Sequence, residues 1–332
     1  MLEMTGLDPL ALPDPLLCSA EPVLLRGLLA DWPAVQLARQ AKAPGLAHYL
    51  RGFYRDATVG AWSGPVEIQG RFFYDQAFTG FNFKSERLKL DQVLDTLLAQ
   101  LEDPQAPALY VGSTTVDTCL PGFREANDLK LGDRQPLMSL WLGNRSRIAA
   151  HYDLPDNLAC VVAGRRRFTL FAPEQIDNLY VGPLDFTPAG QAISLVDFAK
   201  PDFEQFPKFA QALQAAQVAE LGPGDAIFIP SMWWHHVEAL EPFNLLVNYW
   251  WRQSPEQMDA PVNALMLALM TLRDLPPAQR RAWAKLFDHY VFAADAETAA
   301  HIPAHARRVL AAPLDEDSAR MLRARLLKNL NR

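Results

Sequence analysis

The sequence predicts a mainly β core, a sandwich or barrel of short strands, followed by a helical C-terminal region. Three observations predict it. Short apolar runs bounded by Gly and Pro crowd residues 108–251. Apolar residues recur at helical spacing after Arg252. The chain has 332 residues, half of them hydrophobic, which is enough for one large core.

Residues 1 to 20, with several prolines, read as an irregular lead-in. Pro22 to Leu25 reads as a short strand closed by Arg26-Gly27, and 43–52 as a helix. The runs 58–61, 66–69 and 71–74 read as strands separated by glycines. Leu90, Val93, Leu94, Leu97, Leu98 and Leu101 recur at helical steps within 88–101. The clearest later strands are 137–142, 157–162, 166–171, 226–230 and 244–251, with 173–219 a long insertion of loop and helix. Ser254-Pro255-Glu256-Gln257 has the form of a capping box and opens the first of three helices, 258–272, 277–292 and 315–330. The expected division is 1–252, a β core with N-terminal α/β decoration, and 253–332, a helical region.

Charge narrows the function classes. The net charge of −7 and a pI near 5.5 argue against nucleic acid or an anionic membrane as partner, because phosphate contacts need clustered Lys and Arg. Cys18, Cys119 and Cys160 have no metal-ligand spacing and read as reduced thiols of a cytoplasmic protein. The N-terminus lacks a basic segment of the signal-peptide kind, and the longest apolar stretch, near 262–272, is too short to span a bilayer.

Chemistry concentrates at three residues. His151 and Asp153, at i and i+2, share a face if the segment is a strand. His235 follows the 226–230 strand and the Trp233-Trp234 pair. Two imidazoles and one carboxylate on one side of a metal leave positions open for a co-substrate and O2, the arrangement of non-haem Fe(II) oxygenases. The wider spacing agrees with the two motifs of cupin barrels. His151, Asp153, Asn157 and Gly164 keep the first, with Asp153 for the usual second His and Asn157 for Glu. Gly224, Pro230 and His235 keep the second. The predicted fold is therefore a double-stranded β-helix of the cupin or jelly-roll type. His236 points the other way on an extended chain and reads as a packing residue; His48, His289, His301 and His305 have no partners in sequence.

The segments WLGNRSRIAAHYDLPDNLACVVAGRRRFTLFAPEQ and GPGDAIFIPSMWWHHVEAL…NLLVNYWW, with LVDFAKPDFEQFPKF between them, resemble the JmjC-type, cupin-like Fe(II)/2-oxoglutarate oxygenases, and among them the asparaginyl hydroxylases. The likeness runs from about Tyr110 to Trp251. It implies that His151, Asp153 and His235 hold Fe(II), and that Arg166, with Tyr110, grips the far carboxylate of 2-oxoglutarate. An arginine suits bidentate carboxylate binding, and here it stands for the family's Lys. Asn157, Asn248 and Trp250 fall on positions beside the co-substrate. Ile148 departs from the pattern, standing where the family has a hydroxyl donor. The implied reaction consumes O2 and 2-oxoglutarate and hydroxylates a side chain of a protein or peptide, or a small molecule. The implied assembly is a homodimer through the C-terminal helices, whose apolar stripes include Val262, Leu265, Met266 and Leu269 on one helix and Leu322, Leu326 and Leu330 on another.

Two other readings of the residues remain open: a metal cupin that does not use 2-oxoglutarate, and a non-catalytic peptide-binding module. Other features read plainly. Trp233-Trp234 and Tyr249-Trp250-Trp251 are more core than platform. Gly222 to Asp225 is a turn into a strand, with no phosphate-loop pattern around it.

Overall fold

Inward and outward side chains alternate along the strands of the first 252 residues in the computed structural model, which describes residues 1–331. The chain runs through β1 (Leu2–Thr5), α1 (Asp14–Leu17), β2 (Val23–Arg26), α2 (Pro33–Gln40), α3 (Lys42–Phe53), β3 (Thr58–Gly64), β4 (Arg71–Phe72), β5 (Lys84–Lys89) and α4 (Leu90–Ala99). Next come β6 (Ala108–Thr115), α5 (Val116–Cys119), β7 (Leu137–Gly143), β8 (Ser146–His151), β9 (Asp156–Ala163) and β10 (Arg166–Phe171). After the insertion, which carries α6 (Phe209–Ala215), β11 (Gln217–Leu221), β12 (Ala226–Ile229), β13 (Trp234–Ala239) and β14 (Asn244–Trp251) complete the unit.

A nine-stranded sheet has the order β1-β2-β12-β9-β14-β7-β6-β3-β5, and a five-stranded sheet the order β11-β10-β13-β8-β4. Pairing is antiparallel except between β1 and β2 and between β4 and β8. The two sheets do not join into a closed barrel.

Alternate residues of the large sheet serve different cores. Leu158, Cys160 and Val162 of β9, with Leu140 and Leu142 of β7, pack outward with Leu46 and Leu50 of α3 and Leu94 of α4. Ala159 and Val161 of β9, Ile227 and Ile229 of β12 and Leu246 of β14 turn inward against Phe168 and Leu170 of β10. A one-residue slip would exchange these sets, and each buried Leu or Ile stabilises by roughly 1.5–3 kcal/mol, so the register is firmly specified. Both motif glycines have backbone reasons. Gly164 (φ +74°) turns β9 into β10, and a Cβ there would meet the Phe243 carbonyl at 2.7 Å. Gly224 (φ +101°) leads into β12, and a Cβ there would run into the Arg39 guanidinium.

The structure corrects several expectations. Residues 2–5 are not irregular: they add β1 to the sheet edge, in register with Val23–Arg26. The 66–69 run is a 3-10 turn ending in a left-handed Gln69, and of 71–74 only Arg71–Phe72 joins a ladder. Apolar content alone misled there, because short β-branched runs fit tight turns as well as strands. Ser254 to Gln257 does not open a helix. The helix starts at Pro261, whose ring would break any helix entering from residue 255.

Residues 253–332 form a second compact unit, the first being Met1–Arg252. It holds α7 (Pro261–Thr271), α8 (Pro277–Phe287), continued by a π-helical turn, and α9 (Glu316–Leu330). Asp315 caps α9, its carboxylate accepting from the Ser318 N–H at 2.8 Å. Among the described residues of this unit only Ala299 and Ser318 are buried, while Val262, Leu265, Trp283, Leu326 and Leu330 are exposed. Among the described residues no helix is long and apolar enough to cross a membrane.

Candidate metal centre and its cavity

Strand pairing brings the two histidines together. His151 is the last residue of β8 and His235 lies on β13, where they are register partners with ring centroids 4.3 Å apart. Asp153 is not on the strand, as its spacing predicted, but two residues beyond its end. Contacts between two loops set its position. The Met232 N–H donates to the Asp153 carbonyl (2.9 Å), the Ser231 N–H to Asp156 Oδ1 (2.9 Å), and the Ser231 hydroxyl to the Leu154 carbonyl (2.6 Å).

One ligand atom from each of His151, Asp153 and His235 lies within 4.8 Å of the others, and His235 Nε2 is 3.6 Å from Asp153 Oδ2. His151 Nδ1 donates to the Ala149 carbonyl (2.9 Å) and His235 Nδ1 to the Trp233 carbonyl (3.0 Å). A carbonyl only accepts, so each Nδ1 carries the proton and each Nε2 offers a lone pair. Burial, reinforced by the neighbouring His151, lowers the pKa of His235 and keeps it neutral. Neutral imidazoles and a carboxylate are a donor set for a divalent transition metal.

The triad opens on a cavity of about 450 Å³ between the sheets. Arg166, Tyr110, Asn157, Asn248 and Trp250 all line it. Arg166 is 3% exposed, yet among the described residues no carboxylate forms an ion pair with it. Its one hydrogen bond is from Nη2 to the Trp141 carbonyl at 3.5 Å, and its Nε has no partner. Burial lowers its pKa to about 10, so it stays a cation at neutral pH. Desolvation raises that of Tyr110, whose phenol stays protonated. Arg166 lies four residues along β10 from Leu170, the register partner of His235, or about 13 Å of strand. The cavity thus has a metal-binding end and a cationic end. Ile148 forms an apolar part of its wall.

Sequence reasoning missed other lining residues. Trp62 of β3 and Phe72 of β4 close one side, and Pro188, Gln191 and Ile193 come from the insertion. Trp141 of β7 is also there, its indole Nε1 donating to Asn248 Oδ1 at 2.8 Å. Alternation in LMSLWL places Trp141 on the face opposite Leu140 and Leu142, which was legible; the insertion has no period to read. Of the aromatic pairs, Trp233, Trp234, Tyr249 and Trp251 are core, and Trp250 faces the cavity.

His236 lies outside the cavity, stacked on Phe198 at 4.4 Å, with neither ring nitrogen hydrogen-bonded. Burial pushes its pKa down to about 3, with Arg147 adding to the shift. The folded state therefore binds fewer protons than the unfolded chain below pH 6.5, and stability is lost as pH falls from there toward 3. At pH 5 the expected loss from this residue is about 2 kcal/mol. His236→Phe should flatten the acid side of the metal-free stability curve, measured by urea unfolding from pH 7.5 to 5; an unchanged slope would refute the assignment.

The fold and the triad together define a cupin with a two-histidine, one-carboxylate centre. The family comparison agrees: residues 9–257 match the cupin-like domain, and the chain belongs to that family. Similar proteins carry JmjC names. The chain is 29% identical to Jumonji C domain-containing protein 5 of Drosophila melanogaster over 251 residues, 70% of this chain and 55% of that protein. It is 31% identical over 166 residues to Lysine-specific demethylase JMJ31 of Arabidopsis thaliana, 48% of this chain and 29% of that one. It is 31% identical over 150 residues to tRNA wybutosine-synthesizing protein 5 of Gallus gallus, 41% of this chain and 44% of that one. The matches span between 29% and 55% of these relatives' lengths.

Proposed function

We propose that this chain is an Fe(II)- and 2-oxoglutarate-dependent hydroxylase acting on a protein or peptide side chain. The observation that carries the reading is the buried, unpaired Arg166 in the same cavity as the His151–Asp153–His235 triad. A buried cation without a counter-ion is costly, and a ligand carboxylate would satisfy it. A divalent metal fits the other end by donor chemistry. A dicarboxylate bridging the two ends fits both.

In this reading His151, Asp153 and His235 hold the iron, and Arg166 with Tyr110 holds the far carboxylate. Bound together, iron and 2-oxoglutarate supply the oxidising power that puts one atom of O2 into a C–H bond while the other leaves in succinate, with release of CO2. The chain's own contribution is placement. The carbonyls of Ala149 and Trp233 fix the imidazole tautomers. Trp62, Phe72 and Trp250 line the cavity with apolar surface that excludes water. The net charge of −7 disfavours RNA as substrate, although one relative is named for tRNA. The free cysteines agree with a reducing, cytoplasmic setting.

The test is 2-oxoglutarate consumption by the iron-loaded protein in air. Succinate formation that requires both iron and O2 supports the reading. Iron binding without 2-oxoglutarate turnover or binding would point instead to a cupin of another chemistry. The exposed apolar faces of α7, α8 and α9 support a second part of the proposal, that residues 253–332 pair with a second copy. Light scattering should give twice the mass of one chain, and a monomer at micromolar concentration would contradict it.

A further inference from the structure

Three side chains on neighbouring strands of the large sheet form a directed chain of hydrogen bonds that ends in the cavity. Trp141 is on β7, Asn248 on β14 and Asn157 on β9, and the sheet order is β9-β14-β7. Trp141 Nε1 donates to Asn248 Oδ1 (2.8 Å), and Asn248 Nδ2 donates to Asn157 Oδ1 (3.3 Å). An indole N–H can only donate, so its partner atom must be the Asn248 oxygen. The Asn248 nitrogen must then face Asn157, and the atom it meets there must be the Asn157 oxygen. Each amide is oriented by the one before it.

The Asn157 amide nitrogen is what remains. It has no partner among the described residues, although Asn157 is only 6% exposed and lines the cavity. Both Asn248 and Asn157 are more than nine-tenths buried. A buried amide with two unused donors marks a place for an acceptor. Trp141 also meets the other ligand-facing groups. Its ring lies 6.1 Å from that of Tyr110 and edge-on to that of Trp250 at 5.6 Å, and its carbonyl accepts from Arg166.

We infer that Trp141 is a positioning residue which, through Asn248, locks Asn157 with its N–H donors toward the cavity, so that this wall accepts a ligand oxygen and rejects a donor. The inference rests on the co-substrate reading above, in which that oxygen belongs to 2-oxoglutarate. Without the indole donor, Asn248 is free to turn over, and Asn157 with it. About half of the molecules would then present an oxygen to an oxygen.

The experiment is calorimetric titration of 2-oxoglutarate into protein loaded with Zn(II), which needs no turnover. Trp141→Phe keeps an aromatic ring and removes the donor. It should weaken 2-oxoglutarate about twofold, because only the molecules with Asn157 donating into the cavity bind, while Zn(II) affinity stays the same. Asn248→Asp, which keeps the shape but only accepts, forces Asn157 to donate to it and turn its oxygen to the cavity, and should weaken binding about tenfold, the size expected for a lost hydrogen bond to a charged group. A merely structural role would lower the melting temperature and leave 2-oxoglutarate affinity per folded molecule untouched. Wild-type affinity in either folded variant overturns the relay alone. A wild-type protein that binds Zn(II) but no 2-oxoglutarate overturns the relay together with the co-substrate reading.

Discussion

Asp153→Ala will leave the chain folded and remove its metal affinity, by a factor of a hundred or more in Fe(II) titration, with turnover falling below detection. The carboxylate is the only negative charge in the triad, and without it two neutral imidazoles remain to hold a dication. Even outer-shell partners of metal ligands cost roughly 10–100-fold when removed, and a direct ligand costs more. Folding should not suffer. Asp153 is 7% exposed and among the described residues its carboxylate accepts no hydrogen bond, His235 Nε2 lying 3.6 Å away, while the loop is held by its backbone and by Ser231. Its truncation relieves a buried charge. Metal-free Asp153→Ala should therefore melt no lower than the parent protein. Retained activity in this variant would remove Asp153 from the metal centre.

Arg166→Met is expected to have two large effects of opposite sign. The guanidinium is buried with its Nε unpartnered and only one long hydrogen bond, so its desolvation is not repaid within the chain. Methionine fills similar volume without that cost, and the ligand-free variant should gain about 1–3 kcal/mol in urea unfolding. The same change strips the cavity of its cation and should weaken 2-oxoglutarate a hundredfold or more, in line with about 2–5 kcal/mol for one partner of a buried charge pair. A gain in stability with a loss of binding is the signature of a group kept for its ligand. A destabilised variant that binds 2-oxoglutarate normally would make Arg166 a structural residue.

Much of the cavity was legible because strands have a period of two. That parity put Arg166, Phe168 and Leu170 on one face, and they line the interior together. It separated His235, in the cavity, from His236, stacked outside on Phe198. Spacing also carried the motif glycines, because Gly164 and Gly224 occupy left-handed turns that few other residues adopt. What failed had no period. Asp153 lies in a loop held by Met232 and Ser231, contacts made across some 75 residues of chain, as the separation of Ser231 and Asp156 shows. The Trp141–Asn248–Asn157 relay is set by which strands are neighbours, and sheet order cannot be counted off a sequence. The first strand was hidden for the same reason: Leu2–Thr5 extends only because Val23–Arg26 offers an edge.

The most direct test of the account is an anaerobic titration of 2-oxoglutarate into the Fe(II)-loaded protein, followed in the visible spectrum. A keto acid chelating Fe(II) gives a weak charge-transfer band. The account predicts that the band appears and saturates with the parent protein, and is absent with Arg166→Met at the same concentrations. Iron that binds at the triad and gives no band at saturating 2-oxoglutarate would contradict it, leaving a metal cupin of some other chemistry.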